Sequence, residues 1–441
     1  MVETASDARR GLRGRAVTGL GPEFGKLWLG SAVSNLGDGA SFVAVPLLAS
    51  SLTDRPELVA GLSTAYAVPR LLVAVLSGVA VDRFDRRRLL VGVNLVRGAV
   101  LAVLGLLVWL GLASIWALYG VFVVLGLFET LADVSSFSVL PTVVAPRHLD
   151  RANGRLAAAQ TVCDEIAGPP LGGLLFGIAA ILPVLLDASS FVLAACCFWW
   201  LKGDFTPGPA ATGEAADGPG EPRPNALAQI GEGLRYLAGH RLLRTLALMS
   251  VVTNLAYMLP FSVLVLFATN TLGLSPAEYG LALTVSAAGS LVGSFVAPAV
   301  RRLLGTGRTV GATLLLGAVA YLVMAVTDSA LVVTAMLAVY FFYTTVWTIT
   351  VSSLRQSLIP GELIGRVTGA TRTFSLLGLL VGSLGGGLLA AHLGLRAPLW
   401  CGAALLGLTA LLSLPWSRRN EPDQVAQAQA PVEEADPQPA S

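Results

Sequence analysis

Six carboxylates stand inside stretches of the chain that are otherwise apolar: Asp38, Glu129, Asp133, Asp164, Glu165 and Asp187. Glu129 and Asp133 are four residues apart and would share one face of a helix. Asp164 precedes Gly168 by the same spacing, and Arg70 and Arg97 are the cations in these surroundings. Charge at the centre of an apolar layer is costly and usually marks function. Two uses are open to such a set. A carboxylate held away from water titrates nearer neutrality, so it can load and release a proton, and like charges strengthen that tendency while an arginine opposes it. The other use is structural: a buried pair such as Asp38 with Arg70 would fix helix positions without moving protons. Asp187 lies nearer the end of its segment, and the structural use suits it better.

The elements that must position these residues are membrane helices. The 441 residues are 54% hydrophobic and 13% charged, with a mean hydropathy of +0.72, against about 45–50% apolar and about 25% charged for soluble domains. Apolar stretches near the roughly 20 residues that cross a bilayer recur along the chain. Twelve are read: 24–49, 57–79, 89–110, 115–140, 156–177, 182–201, 243–267, 277–300, 309–327, 331–354, 367–389 and 397–415. The expected fold is all-α and integral to the membrane, with twelve transmembrane helices in two pseudo-symmetric six-helix bundles. Arg9, Arg10, Arg13 and Arg15 lead straight into a segment long enough to span, which does not fit a cleaved signal peptide.

Loop charge sets the orientation. With the N-terminus inside, the outer connections hold only Arg55 and Arg396 of the 29 Lys and Arg, so a multi-pass protein of the cell membrane with both termini cytoplasmic is expected. A net charge of +2 gives no support to nucleic-acid binding. Cys163, Cys196, Cys197 and Cys401 fall in predicted spans without metal or redox spacing, and His148, His240 and His392 have no ligand-spaced partner. "GPEFGK" (21–26) lacks the phosphate-loop spacing, and "GTGRTVG" (305–311) follows no strand. No metal, no cofactor and no enzyme activity are expected.

The organisation is six plus six. Residues 1–23 read as a cytoplasmic segment, 24–201 as an N-terminal bundle, 202–242 as a cytoplasmic linker rich in Pro, Gly and small polar residues, 243–415 as a C-terminal bundle, and 416–441 as a disordered cytoplasmic tail. The halves match at one constant offset: Pro146 with Pro360, Leu149 with Leu363, Gly168 with Gly382, Gly172 with Gly386, and Gly173 with Gly387. Asp164 falls opposite Gly378. Six-span repeats are the build of secondary transporters, in which two bundles rock about a central site.

Here the chain resembles the major facilitator superfamily over nearly all of residues 24–415. "GVAVDRFDRRR" (78–88) is similar to that superfamily's loop signature through Gly78, Asp82, Arg83, Arg86 and Arg87, with Asp85 where many members have Gly. "GPPLGG" (168–173) resembles the signature of its exporters, mostly drug:proton antiporters. "LPTVVAPRHLDRANG" (140–154) and "LLDASSF" (185–191) resemble the bacterial branch with enterobactin, macrolide and multidrug exporters. The resemblance implies a secondary active transporter, monomeric, that exports a small amphiphilic molecule in exchange for protons by alternating access. Uptake or facilitated diffusion by the same fold, or a receptor without flux, are the alternatives. It also implies a cytoplasmic latch at Asp82, with Arg366 as a partner. The arginines of that loop could instead serve topology alone.

Gly168 and Gly172, one turn apart beside Pro169, Pro170 and Gly173, let another backbone approach closely, as small residues do between membrane helices. Gly289 and Gly293 are a second such pair and Gly382 and Gly386 a third. The resemblance implies that span 5 packs on span 8, and span 11 on span 2 near Gly78, as sliding inter-domain seams; static packing is the other reading.

Overall fold

The computed structural model describes residues 20–83, 85–203, 205, 235–359 and 363–417. Among these the chain is helical, with no strand. The first half holds α1 (Gly21–Leu52), α2 (Pro56–Arg83), α3 (Arg86–Trp109), α4 (Ile115–Val143), α5 (Leu149–Gln160), α6 (Gly168–Ile178) and α7 (Ile181–Trp199). The second holds α8 (Arg241–Thr271), α9 (Pro276–Leu304), α10 (Thr306–Val326), α11 (Ala330–Leu358), α12 (Ile364–Leu393) and α13 (Ala397–Ser417). Between α5 and α6, Thr161–Ala167 wind as a π-helical turn, so the fifth predicted span is a single rod with a break. Nine helices among the described residues are long and apolar enough to cross a membrane, and the apolar stretch Ala397–Ser413 is shorter.

Local sequence sets the helix ends. Ser114 accepts from the Ala117 amide at the start of α4, and Ser275 with Glu278 forms a reciprocal cap at the start of α9. Asp85, the departure from the loop signature, caps α3: its Oδ1 accepts from the Arg88 amide at 2.8 Å.

The chain divides into two compact units. One holds the described residues up to Val45 and those from Leu72 to the linker; the other holds Pro46–Leu71 and the described residues after the linker. The division at the linker expected from sequence would place 46–71 in the first half. Its packing explains the assignment. Ser383 Oγ of α12 donates to the Ala60 carbonyl of α2 at 2.6 Å, and Ala60 is buried with Val263 and Ala390.

The repeat is visible in the packing of each unit. In the first, α3 lies along α7 and α4; in the second, α10 lies along α13 and α11, the matching set. Span 5 rests on span 1 through Gly168 and Gly172, as α12 rests on α8 through Gly382 and Gly386.

Candidate functional site

Asp38 sits midway along α1 between Gly37 and Gly39, followed by Ala40. These small residues make a flat stretch of backbone that other helices can touch. A methyl at Gly37 would stand 2.6 Å from Asp187 Oδ1 of α7, and one at Gly39 would stand 2.8 Å from the Asp164 Cα. The same packing that brings the helices together therefore gathers their carboxylates around Asp38.

The centre of the group is Arg97 of α3, only 5% exposed. Its Nη2 donates to Asp38 Oδ1 at 3.0 Å and to Glu129 Oε2 of α4 in a shorter contact. The guanidinium lies 3.9 Å from the ring centroid of Phe191, a fully buried residue of α7. A desolvated cation over an aromatic face is stabilised by about 2 kcal/mol. Asp187 is 1% exposed. Its Oδ2 accepts from Ser41 Oγ of α1, and the Ser190 hydroxyl lies 3.5 Å from Oδ1. One guanidinium thus faces several carboxylates inside an apolar bundle. Charge counting gives the chemistry: Arg97 with both of its partners ionised carries one excess negative charge, which a single proton removes.

The structure brings together Asp38, Glu129, Asp164 and Asp187 of the residues singled out from sequence. Glu165, next to Asp164, is exposed. The cation that meets Asp38 is Arg97, whereas the Arg70 guanidinium of α2 lies 5.1 Å from the Tyr66 ring. Asp38 and Arg97 point to one another from two helices of one unit. Arg97 was legible as a lone arginine in a predicted span. Ser41 carried no such signal, because a serine in an apolar helix usually bonds its own backbone. The side chain of Asp133 lies outside the described residues.

The cytoplasmic loop is described in part. The surroundings of Gly78 and the side chains of Asp82, Arg83 and Arg366 are outside what the structure describes. Arg87 Nη1 donates to the Leu201 carbonyl at 2.9 Å, and the Arg86 amide to the Phe205 carbonyl at 3.2 Å. Leu201 and Phe205 are buried in the core beneath them. These two arginines hold the end of α7 and the start of the linker.

The glycines make their tightest approaches within units. A methyl at Gly168 would lie 2.6 Å from the Gly39 carbonyl carbon, and one at Gly172 would lie 2.8 Å from the Ala40 carbonyl carbon and closer still to its oxygen. Pro169 and Gly173 are buried alongside. Gly289 and Gly293 face Ala338 and Phe342 of α11, while Gly382 and Gly386 face Leu255 and Leu259 of α8. Close backbone contact is thus their local role.

Comparison with known proteins places this architecture. A family model for transmembrane secretion effectors matches residues 21–438. The multidrug efflux pump Tap of Mycobacterium tuberculosis is 28% identical over 429 residues, covering 92% of this chain and 97% of that protein. The uncharacterized MFS-type transporter YfiS of Bacillus subtilis is 27% identical over 399 residues, 86% of this chain and 90% of its own length. Among solved structures, a bacterial homologue of the human lysosomal transporter Spinster, inward-facing and unoccupied, has a TM-score of 0.69 at 15% identity over 90% of this chain and 96% of that one. A bacterial homologue of the iron transporter ferroportin in an inward-facing state has a TM-score of 0.66 at 20% identity, over 90% and 99% of the two chains. At such identities these structures show the fold alone. The match over nearly the whole sequence shows that the chain belongs to the transmembrane secretion effector family of the major facilitator superfamily, a family of membrane transporters and not of enzymes.

Proposed function

We propose that this protein exports a small amphiphilic molecule, a drug, antibiotic or siderophore, across the cell membrane in exchange for protons by alternating access. The observation that carries the reading is the group of Asp38, Arg97 and Glu129, a buried guanidinium between two partly buried carboxylates. A cation shared by two carboxylates can release one of them when a proton arrives, so the protonated and unprotonated states differ in which helices Arg97 ties together. That difference is what coupling a proton to a conformational change requires. The relatives named multidrug efflux pumps support the direction and the substrate class.

The protein acts as a monomer with twelve spans and both termini cytoplasmic. Residues 24–201 and 243–415 are the two bundles, 202–242 the linker between them, and 416–441 a tail. Asp82, Arg83, Arg86 and Arg87 gate the cytoplasmic side, and the glycine pairs at 168 and 172, 289 and 293, and 382 and 386 permit the helices to rearrange.

The test uses a fluorescent lipophilic cation as probe in cells with and without the protein. Expression should lower accumulation, an uncoupler should restore it, and Asp38→Asn or Glu129→Gln should abolish the uncoupler-sensitive part while the protein remains in the membrane. Wild-type efflux from both variants under a proton gradient would refute this assignment.

A further inference from the structure

The helix of the fifth span changes its winding at one place. It is α-helical to Gln160, π-helical over Thr161–Ala167, and α-helical again from Gly168. The Gly168 amide donates to the Cys163 carbonyl, five residues back instead of four. The cause is in the sequence. Pro169 and Pro170 carry no amide hydrogen, so the carbonyls of Glu165 and Ile166 lose their α-helical donors, and each ring crowds the carbonyl four residues before it. A turn with one extra residue moves each ring away from that carbonyl, although neither proline has a donor to give to the carbonyl it then faces.

The repeat supplies an internal control. Ser383 and Leu384 stand opposite the prolines, both have amides, and α12 is regular from Ile364 to Leu393. Gly378, opposite Asp164, has no side chain to place. Of these two repeat-related helices, the break therefore occurs in the one that has both the prolines and the carboxylates; the π turn of the second half, Phe267–Thr271, lies at the end of α8.

Inside the π turn, Asp164 is half-buried and Glu165 is exposed. The Asp164 backbone rests on Gly39, the residue after Asp38. Gly37, two residues before Gly39, faces Asp187 of α7, so Asp164 and Asp187 approach the same short stretch of α1. Asp38 lies in that stretch, between Gly37 and Gly39, and Arg97 on α3 donates to Asp38 and to Glu129 of α4.

We propose that Pro169 and Pro170 are positioning residues: by holding the helix in a π turn they present Asp164, and not Glu165, to the carboxylates around Arg97. The inference rests on the proton-coupled reading of that group, but its geometric half can be tested without transport. Gly168 and Gly172 lock α6 to α1, so closing the π turn must rotate the residues before Gly168. A full register step turns them by about 100°. Glu165 then moves toward α1, and Asp164 moves past it.

The experiment uses the full chain with its four cysteines replaced and a single new cysteine, Asp164→Cys or Glu165→Cys, labelled with N-ethylmaleimide. With the prolines present, position 165 should label faster than 164. With Pro169→Ala and Pro170→Ala together, that ratio should fall to parity or reverse; Pro170→Ala alone serves if the double change is not recovered in the membrane. An unchanged ratio would overturn the placement. A second arm measures uncoupler-sensitive efflux of the fluorescent cation. Loss of the prolines should reduce it when Asp164 is present and add nothing in an Asp164→Asn protein, whereas equal losses in both backgrounds would overturn the positioning role. If wild-type efflux ignored the uncoupler while the labelling ratio still changed, the coupling reading would fall and the placement of Asp164 would stand.

Discussion

Gly172→Ala adds one methyl where α6 crosses α1. In the structure that methyl would lie 2.8 Å from the Ala40 carbonyl carbon and 2.9 Å from its Cα. Carbon atoms prefer about 3.5–4.0 Å and the Ala40 carbonyl oxygen lies closer still, so the two backbones must separate by about 1 Å. The obstacle is main chain, which cannot turn aside as a flexible side chain would. Overpacking of this kind costs about 1–3 kcal/mol, and the better helix propensity of alanine returns up to about 1 kcal/mol. A net loss of about 1–2 kcal/mol is expected. Asp38 is two residues from the contact, so the 3.0 Å bond to Arg97 should lengthen and efflux should fall as well. Gly177→Ala is the control: it lies in the same helix, a methyl there has nothing within 4 Å, and it should be neutral or stabilising by up to about 1 kcal/mol. The assay is thermal unfolding of the purified protein beside efflux of the fluorescent cation in cells. If Gly172→Ala matched Gly177→Ala in both measurements, the close contact with α1 would not be what position 172 requires.

Three further outcomes are expected. Arg97→Ala leaves Asp38 and Glu129 without their cation; with Asp38 30% and Glu129 17% exposed, solvent lowers the loss below that of a fully buried pair, to about 1–3 kcal/mol, and unfolding at the wild-type temperature would count against the pairing. Ser41→Ala takes the hydroxyl away from the fully buried Asp187, for a loss of about 1–3 kcal/mol in the same assay, and an unchanged melting temperature would show that the bond does not join α1 to α7. A reporter fused after Trp416 should be cytoplasmic and one inserted near Ser114 external; finding both on one side would remove the proposed topology.

Much of the architecture was legible from the chain alone. An apolar composition and span-length runs leave helices as the only economical way to satisfy the backbone in lipid, and the constant offset between "GPPLGG" and "GSLGGG" shows the repeat before any packing is known. The uneven placement of intramembrane carboxylates was equally plain. Helix periodicity tells which residues share a face, as for Gly168 with Gly172, but it does not say which neighbour that face meets. Tertiary structure decided that the glycines of α6 meet Gly39 and Ala40 and that Ala60 of α2 packs with α12. It also chose the cation for Asp38. Arg97 is one of two midspan arginines, and only the approach of α1 and α4 to α3 brings it to both carboxylates. The prolines announced an interruption of the helix, yet proline alone permits a kink, a break or a widened turn. The lock between α6 and α1 leaves the π turn, because it fixes the helix on one side of the prolines and leaves the compensation to the other.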